Sequence, residues 1–114
     1  IVDDSVNMAT LVNKTTHFFK HESCGKCTPC REGTYWMAKI SDRILKGEAT
    51  DEDVNLLATV ASQIEGKCLC ALGEFSIMAV LSAIKKFRPD FDQLTAKRVS
   101  ELEAEVIHQE QAAA

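Results

Sequence analysis

The chain has 114 residues, a formal net charge of −4, and 46% hydrophobic and 26% charged residues. This length fits one small domain, and the acidic balance without a basic block argues against a nucleic-acid partner. No apolar run approaches the roughly 20 residues that span a bilayer, and no secretory signal pattern opens the chain. Because position 1 is Ile rather than an initiator Met, we expect a piece of a longer protein.

Apolar residues at helical spacing predict a first helix that ends near Lys20. Asp4 or Ser5 is expected to cap its start. Phe18 and Phe19 belong to the apolar pattern of this helix, so we expect both rings in the core.

A second helix is predicted from Thr28 and Pro29, because Thr can cap a helix and Pro fits the first helical position. Tyr35 and Trp36 are expected in its core face, as aromatic residues at helical spacing usually are. Gly47 suits the left-handed conformation that ends a helix.

A third helix is predicted to start at a capping box over residues 50–53, with Asp53 in place of the usual Glu or Gln. It stops at Gly66. A fourth helix follows and is broken by Pro89. From Asp90 the chain is charged, and we expect a thin surface helix that fades to disorder over residues 109–114. Four amphipathic helices with short links predict an all-α, four-helix bundle.

Three of the five cysteines, Cys24, Cys27 and Cys30, have C-x₂-C-x₂-C spacing. Thiolates that converge need a metal, because like charges repel. Such triplets are the local half of many iron–sulfur sites. In the bacterial ferredoxin run, three residues separate the third cysteine from a fourth. The equivalent position here is Thr34, so a fourth ligand must come from Cys68 or Cys70.

Up-and-down topology would place the link before the second helix and the link before the fourth at the same end of the bundle. This arrangement brings the triplet toward Cys68 and Cys70. The same cysteine pattern also allows a zinc site or unligated thiols. The odd cysteine count fits a metal site in a reducing compartment, cytosolic or in the matrix, better than a disulfide framework. His17 and His21 are expected to be packing or surface residues rather than ligands.

Two motifs together carry a resemblance to a known family. Glu-Ser-Cys-Gly-Lys-Cys-Thr-Pro-Cys-Arg-Glu-Gly at 22–33 and Cys-Ala-Leu-Gly at 70–73 resemble the C-terminal iron–sulfur domain of the NADH-binding, flavin-carrying subunit of respiratory complex I. The same module occurs in diaphorase subunits of NAD-reducing hydrogenases and NAD-linked formate dehydrogenases. The resemblance covers nearly the whole chain.

The resemblance implies a [4Fe–4S] cluster held by Cys24, Cys27, Cys30 and Cys70. Cys68 stands where the family does not require cysteine, so it is either a small buried residue or a substitute ligand or redox-sensitive thiol. Backbone N–H groups near Gly25 to Cys27 and the charges of Lys26 and Arg31 are candidate influences on the cluster's potential.

The resemblance also implies a function: an electron-transfer domain that takes electrons one at a time from reduced flavin and relays them to further clusters. FMN and NADH would bind the parent subunit outside this chain, which has no G-x-G-x-x-G loop and no visible catalytic constellation. The expected domains are the end of a preceding domain or a connector at 1–4 and an iron–sulfur-binding bundle at 5–89, with the cluster held by loops at one end. A charged, helical or disordered tail is expected at 90–114.

The implied partners are the upstream NADH- and FMN-binding domain and other iron–sulfur subunits, in the peripheral arm of a membrane-associated complex. No nucleic acid and no direct membrane insertion are expected. A soluble hydrogenase or formate dehydrogenase is the alternative parent. A zinc-stapled helical interaction module is the alternative from another class.

Overall fold

The computed structural model describes residues 1–113. These residues form six α-helices and no β-strand, which confirms the predicted all-helical class. The helices are α1 (Met8–Glu22), α2 (Thr28–Leu45), α3 (Asp51–Ile64), α4 (Leu72–Lys86), α5 (Arg88–Asp92) and α6 (Ala96–Ala113).

The first four helices surround a common core. α2 packs between α1 and α3, and α4 packs on α3 and α1, so each helix contacts its sequence neighbours and α4 also meets α1. Fully buried apolar side chains fill the space between them, including Met37, Ile44, Leu57 and Val80. Their removal from water is the main driving force for this packing.

The N-cap residues of α1 and α2 differ from the predicted ones. Asn7, rather than Asp4 or Ser5, caps α1 by accepting a hydrogen bond from the Ala9 N–H at 2.9 Å, because residues 4 and 5 lie in a separate turn. Cys27, rather than Thr28, is the N-cap residue of α2, because Thr28 is already the first residue of the helix.

The predicted capping box of α3 is confirmed. The Thr50 hydroxyl accepts from the Asp53 N–H, and the Asp53 carboxylate accepts from the Thr50 N–H at 2.8 Å. Arg43 on α2 lies 3.2 Å from the same carboxylate. The cap therefore also joins α2 to the start of α3.

The expected burial of three aromatic rings is wrong. Phe18, Tyr35 and Trp36 are 57%, 41% and 52% exposed, whereas Phe19 is partly buried. The buried face of α1 instead contains Ala9, Val12 and Thr16. Aromatic residues at helical spacing thus lie beside the core face of these helices rather than in it.

Beyond α4 the chain still contributes to the core. Phe91 of the short helix α5 is 1% exposed and joins the same apolar cluster.

The last helix, α6, has no buried residues and is helical through Ala113. The expected disorder from Gln109 is therefore wrong for residues 109–113, and Ala114 lies outside the described residues. Within residues 1–113, no helix combines the length and apolar character needed to cross a membrane.

Candidate metal centre

All five cysteines line one cavity of about 150 Å³ at one end of the helices. Cys24 and Cys27 lie in the α1–α2 link, Cys30 lies in the first turn of α2, and Cys68 and Cys70 lie in the α3–α4 link. The two cysteine-bearing links, predicted to lie at the same end, are therefore brought together.

The α1–α2 link is shaped by one glycine and one arginine. Gly25 has φ +79°, a left-handed conformation that favours glycine, and it turns the chain between the first two cysteines. Arg31, in the first turn of α2, donates from Nη1 to the Gly25 carbonyl at 2.7 Å. This bond fixes the link against the helix and places a guanidinium charge beside the cavity.

The α3–α4 link is held against α4 at two points, Gly66 and Cys68. The Gly66 N–H donates to Glu74 Oε1 of α4 at 2.6 Å, directly after α3 ends. Cys68 packs so closely on α4 that a Cβ added at Gly73 would lie 2.5 Å from its sulfur. Cys70 follows two residues later and is exposed.

Besides the Cys68 thiol, which donates to the Ile64 carbonyl at 4.0 Å, two cysteine sulfurs have hydrogen-bonding partners. The Leu69 N–H donates to Cys27 Sγ at 3.3 Å and so bridges the two links. The Ser23 hydroxyl lies 3.3 Å from Cys30 Sγ. Neither partner is predicted from the sequence; the only signal is the position of Ser23 directly before the triplet.

The cavity places charges of both signs near its thiols. Lys26 and Glu22 are in its lining, and Arg31 is close by. Burial raises the pKa of the Cys68 thiol, and the neighbouring Cys30 and Cys27 raise it further when they are charged.

Neither of the two histidines near the triplet lines this cavity. His17 Nε2 lies 2.7 Å from Asp42 Oδ1, and His21 Nδ1 lies 3.1 Å from Glu22 Oε1. Both are exposed. The expectation that they are packing or surface residues fits these positions.

The donors fit an iron–sulfur cluster in kind and number. Four cysteine thiolates are the usual ligand set of a [4Fe–4S] cluster, and five thiols surround this space. In residues 1–113, no three His, Cys, Asp or Glu side chains are placed to hold a single metal ion. The five cysteines share the lining of one cavity.

Comparison with known proteins identifies the chain. The profile of a family described as the NADH-ubiquinone oxidoreductase-F iron-sulfur binding region matches residues 10–94, which include every cysteine. The chain belongs to this family. The family resemblance expected from the two cysteine motifs is therefore confirmed, and with it the iron–sulfur character of the domain.

Members of complex I are among the similar proteins. This iron-sulfur binding region is 45% identical over 91 residues to an NADH-quinone oxidoreductase subunit of Mycobacterium bovis, covering 80% of the chain and 20% of that protein. It is 36% identical over 101 residues to the mitochondrial 51 kDa subunit of NADH-ubiquinone oxidoreductase of Neurospora crassa, covering 89% of the chain and 20% of that protein. The chain thus spans about a fifth of these relatives.

A solved structure of a different enzyme shares the fold. The crystal structure of an NAD⁺-reducing [NiFe]-hydrogenase in the air-oxidized state matches with a TM-score of 0.78 and 33% sequence identity. The match covers 82% of this chain and 17% of the hydrogenase chain. The iron-sulfur binding region is therefore similar both to complex I subunits and to part of a hydrogenase.

Proposed function

We propose that this chain is an electron-transfer domain that holds a [4Fe–4S] cluster through Cys24, Cys27, Cys30 and Cys70. The observation that carries the proposal is the convergence of both cysteine-bearing links on one cavity. When bound, such a cluster supplies reversible one-electron transfer.

The protein's own residues position and expose the site. Cys30 is 7% exposed, whereas Cys24 and Cys70 are exposed. The buried ligand anchors the site in the first turn of α2. The exposed ligands leave a route by which neighbouring electron carriers approach the cluster.

Cys70, rather than Cys68, is proposed as the fourth ligand. Cys68 packs against Gly73 and the apolar core, which suits a small structural side chain. Cys70 is exposed within the cavity lining and is free of such packing. It also opens the Cys-Ala-Leu-Gly motif that resembles the family's ligand motif.

The parent enzyme proposed here is an NADH:quinone oxidoreductase of the complex I type. Relatives with that name support this choice. In it, the domain takes electrons one at a time from reduced FMN in the NADH-binding domain of the same subunit and relays them to further iron–sulfur clusters. The domain would lie in the peripheral arm, on the cytoplasmic or matrix side of the membrane.

A soluble NAD-reducing hydrogenase is the second candidate parent, favoured by the structural match to such an enzyme. Purification of the native protein separates the two parents. Co-purification with quinone-reducing membrane subunits supports complex I, whereas co-purification with hydrogenase or formate dehydrogenase subunits in a soluble complex contradicts it.

Cysteine substitutions test the ligand assignment in the intact protein, purified anaerobically. Cys70→Ser is expected to lose or damage the cluster, because it removes one of four thiolate ligands. Cys68→Ser is the matched control and is expected to keep about four irons per chain and the electron paramagnetic resonance signal of the dithionite-reduced protein. Iron, sulfide and zinc are assayed on the same samples.

Two outcomes would contradict the proposal. Loss of the cluster in Cys68→Ser but not in Cys70→Ser would make Cys68, rather than Cys70, the fourth ligand. One zinc per chain with no sulfide in the unmodified protein would instead make the site a zinc staple between helices.

A further inference from the structure

Ser23, directly after the last residue of α1, places a hydroxyl group against a proposed ligand sulfur. Its Oγ lies 3.3 Å from Cys30 Sγ. On the basis of the proposed [4Fe–4S] site, we infer that the Ser23 hydroxyl donates a hydrogen bond to the Cys30 thiolate and thereby raises the reduction potential of the bound cluster. Ser23 is thus a positioning residue that acts through Cys30.

The direction of this hydrogen bond follows from the surrounding groups. The Gly25 N–H donates to Ser23 Oγ at 3.3 Å, so the hydroxyl oxygen already accepts one bond. A ligating cysteine is a thiolate and has no proton on its sulfur. The proton between Ser23 and Cys30 therefore belongs to the hydroxyl.

Both partners are held in place by helices. The Ser23 N–H donates to the Phe19 carbonyl at 3.0 Å and continues the hydrogen bonding of α1 by one residue. Cys30 lies in the first turn of α2 and is 7% exposed. A hydrogen bond to a charged atom in such a poorly solvated position is stronger than one in water.

This hydrogen bond favours the reduced state of the cluster. A reductant adds one electron and so one negative charge, part of which is carried by the ligand sulfurs. A donor to a ligand sulfur stabilises the more negative form more strongly, which raises the reduction potential. The Leu69 N–H does the same for Cys27, but it belongs to the backbone and substitution at Leu69 does not remove it.

Removal of the hydroxyl tests the inference. Ser23→Ala in the intact, anaerobically purified protein is expected to shift the reduction potential to a more negative value with unchanged iron and sulfide content. The potential is measured by titration with dithionite, followed by electron paramagnetic resonance. Ser23→Thr keeps the hydroxyl and is expected to keep the native potential.

A matched control is available on α3. Ser62→Ala removes a hydroxyl that donates to the Ala58 carbonyl at 3.0 Å and contacts no cysteine. Its potential is expected to equal that of the unmodified protein. Ser23→Gly removes the same hydroxyl as Ser23→Ala without a methyl group near the sulfur, and it is expected to show the same negative shift.

The outcomes separate this inference from the proposed function. Absence of a cluster from the unmodified protein would overturn the proposed function. A native cluster whose potential does not change in Ser23→Ala would overturn only the role of Ser23. Loss of the cluster in both Ser23→Ala and Ser23→Gly would also overturn it, because a hydroxyl that only tunes the potential leaves the four ligands in place.

Discussion

Gly73 is the residue at which the α3–α4 link meets α4, and its lack of a side chain sets the position of Cys68. A Cβ at this position would lie 2.5 Å from the Cys68 sulfur and 2.9 Å from its Cβ. Real Cβ atoms do not approach other atoms so closely. Any larger residue would therefore push Cys68, and the link that carries Cys70, away from α4.

Gly73→Ala is expected to destabilise the fold by about 1–3 kcal/mol, the usual cost of overpacking a close contact. In an uncrowded helix the same substitution stabilises by up to about 1 kcal/mol, so the sign of the change is itself the test. The measurement is urea unfolding of the two proteins.

A double-mutant cycle identifies the clash. Cys68→Gly removes both crowding atoms, so Gly73→Ala made in that background is expected to lose most of its cost. If Gly73→Ala were equally destabilising with and without the Cys68 side chain, the contact would not be its cause.

At the scale of elements, the sequence was sufficient where local chemistry determines the structure. Thr50 and Asp53 form the predicted capping box, and α2 begins at the predicted Thr28-Pro29. Gly47, with φ +71°, has the left-handed conformation predicted for the end of α2. Each of these features depends on residues within a few positions of one another.

The sequence was insufficient to predict burial where it depends on the packing of segments that are far apart in the chain. Periodicity alone could not distinguish Val12 from Phe18 as the buried side of α1, because the choice depends on how α2 and α4 pack on it. Phe91 enters the core from beyond the helix-breaking Pro89 for the same reason.

In the candidate site too, some features were predictable from the sequence and others were not. The cysteine spacing and helix topology were sufficient to predict that two links meet at one end. The partners of the sulfurs, Ser23 and the Leu69 N–H, depend on the backbone path of irregular links. No periodic pattern in the sequence predicts such a path, so these contacts could be identified only in the structure.

Asp42 on α2 joins this helix to α1. Its carboxylate accepts from Asn13 Nδ2 at 2.8 Å and lies 2.7 Å from His17 Nε2. Desolvation raises the pKa of Asp42, but the hydrogen bonds from His17 and Asn13, together with nearby positive charge, outweigh it. The pKa therefore lies below its ordinary value of 3.8.

A lowered pKa means that the charged carboxylate stabilises the fold above pH 3.8, and that this contribution is lost as the pH falls through the folded-state pKa. Asp42→Asn is expected to lower the free energy of unfolding at neutral pH by up to about 1 kcal/mol, as for a partly exposed ion pair. The difference should vanish well below pH 3.8 in unfolding measurements across pH. Glu103→Gln on α6 controls for the change in net charge, and a pH-independent effect of Asp42→Asn would contradict the assignment.

At the scale of the whole molecule, α6 is attached to the core only near its start, as far as residues 1–113 show. The Ala96 N–H donates to the Ala49 carbonyl at 2.7 Å, and Val99 lies against Gly47. Beyond these contacts the helix is exposed, including Leu102, Val106 and Ile107, and the molecule measures 62 Å along its longest axis but 28 and 22 Å along the others.

Truncation after Ser100 is therefore expected to change the free energy of unfolding of the remaining helices by no more than about 0.5 kcal/mol, because none of residues 101–113 is buried. Phe91→Ala is the contrasting control: its ring is 1% exposed, and its loss should cost about 3–5 kcal/mol. Urea unfolding followed by circular dichroism measures both. A cost above about 1 kcal/mol for the truncation would mean that the apolar residues of α6 pack against the protein in solution, since no other stabilising contribution of that size is removed with them.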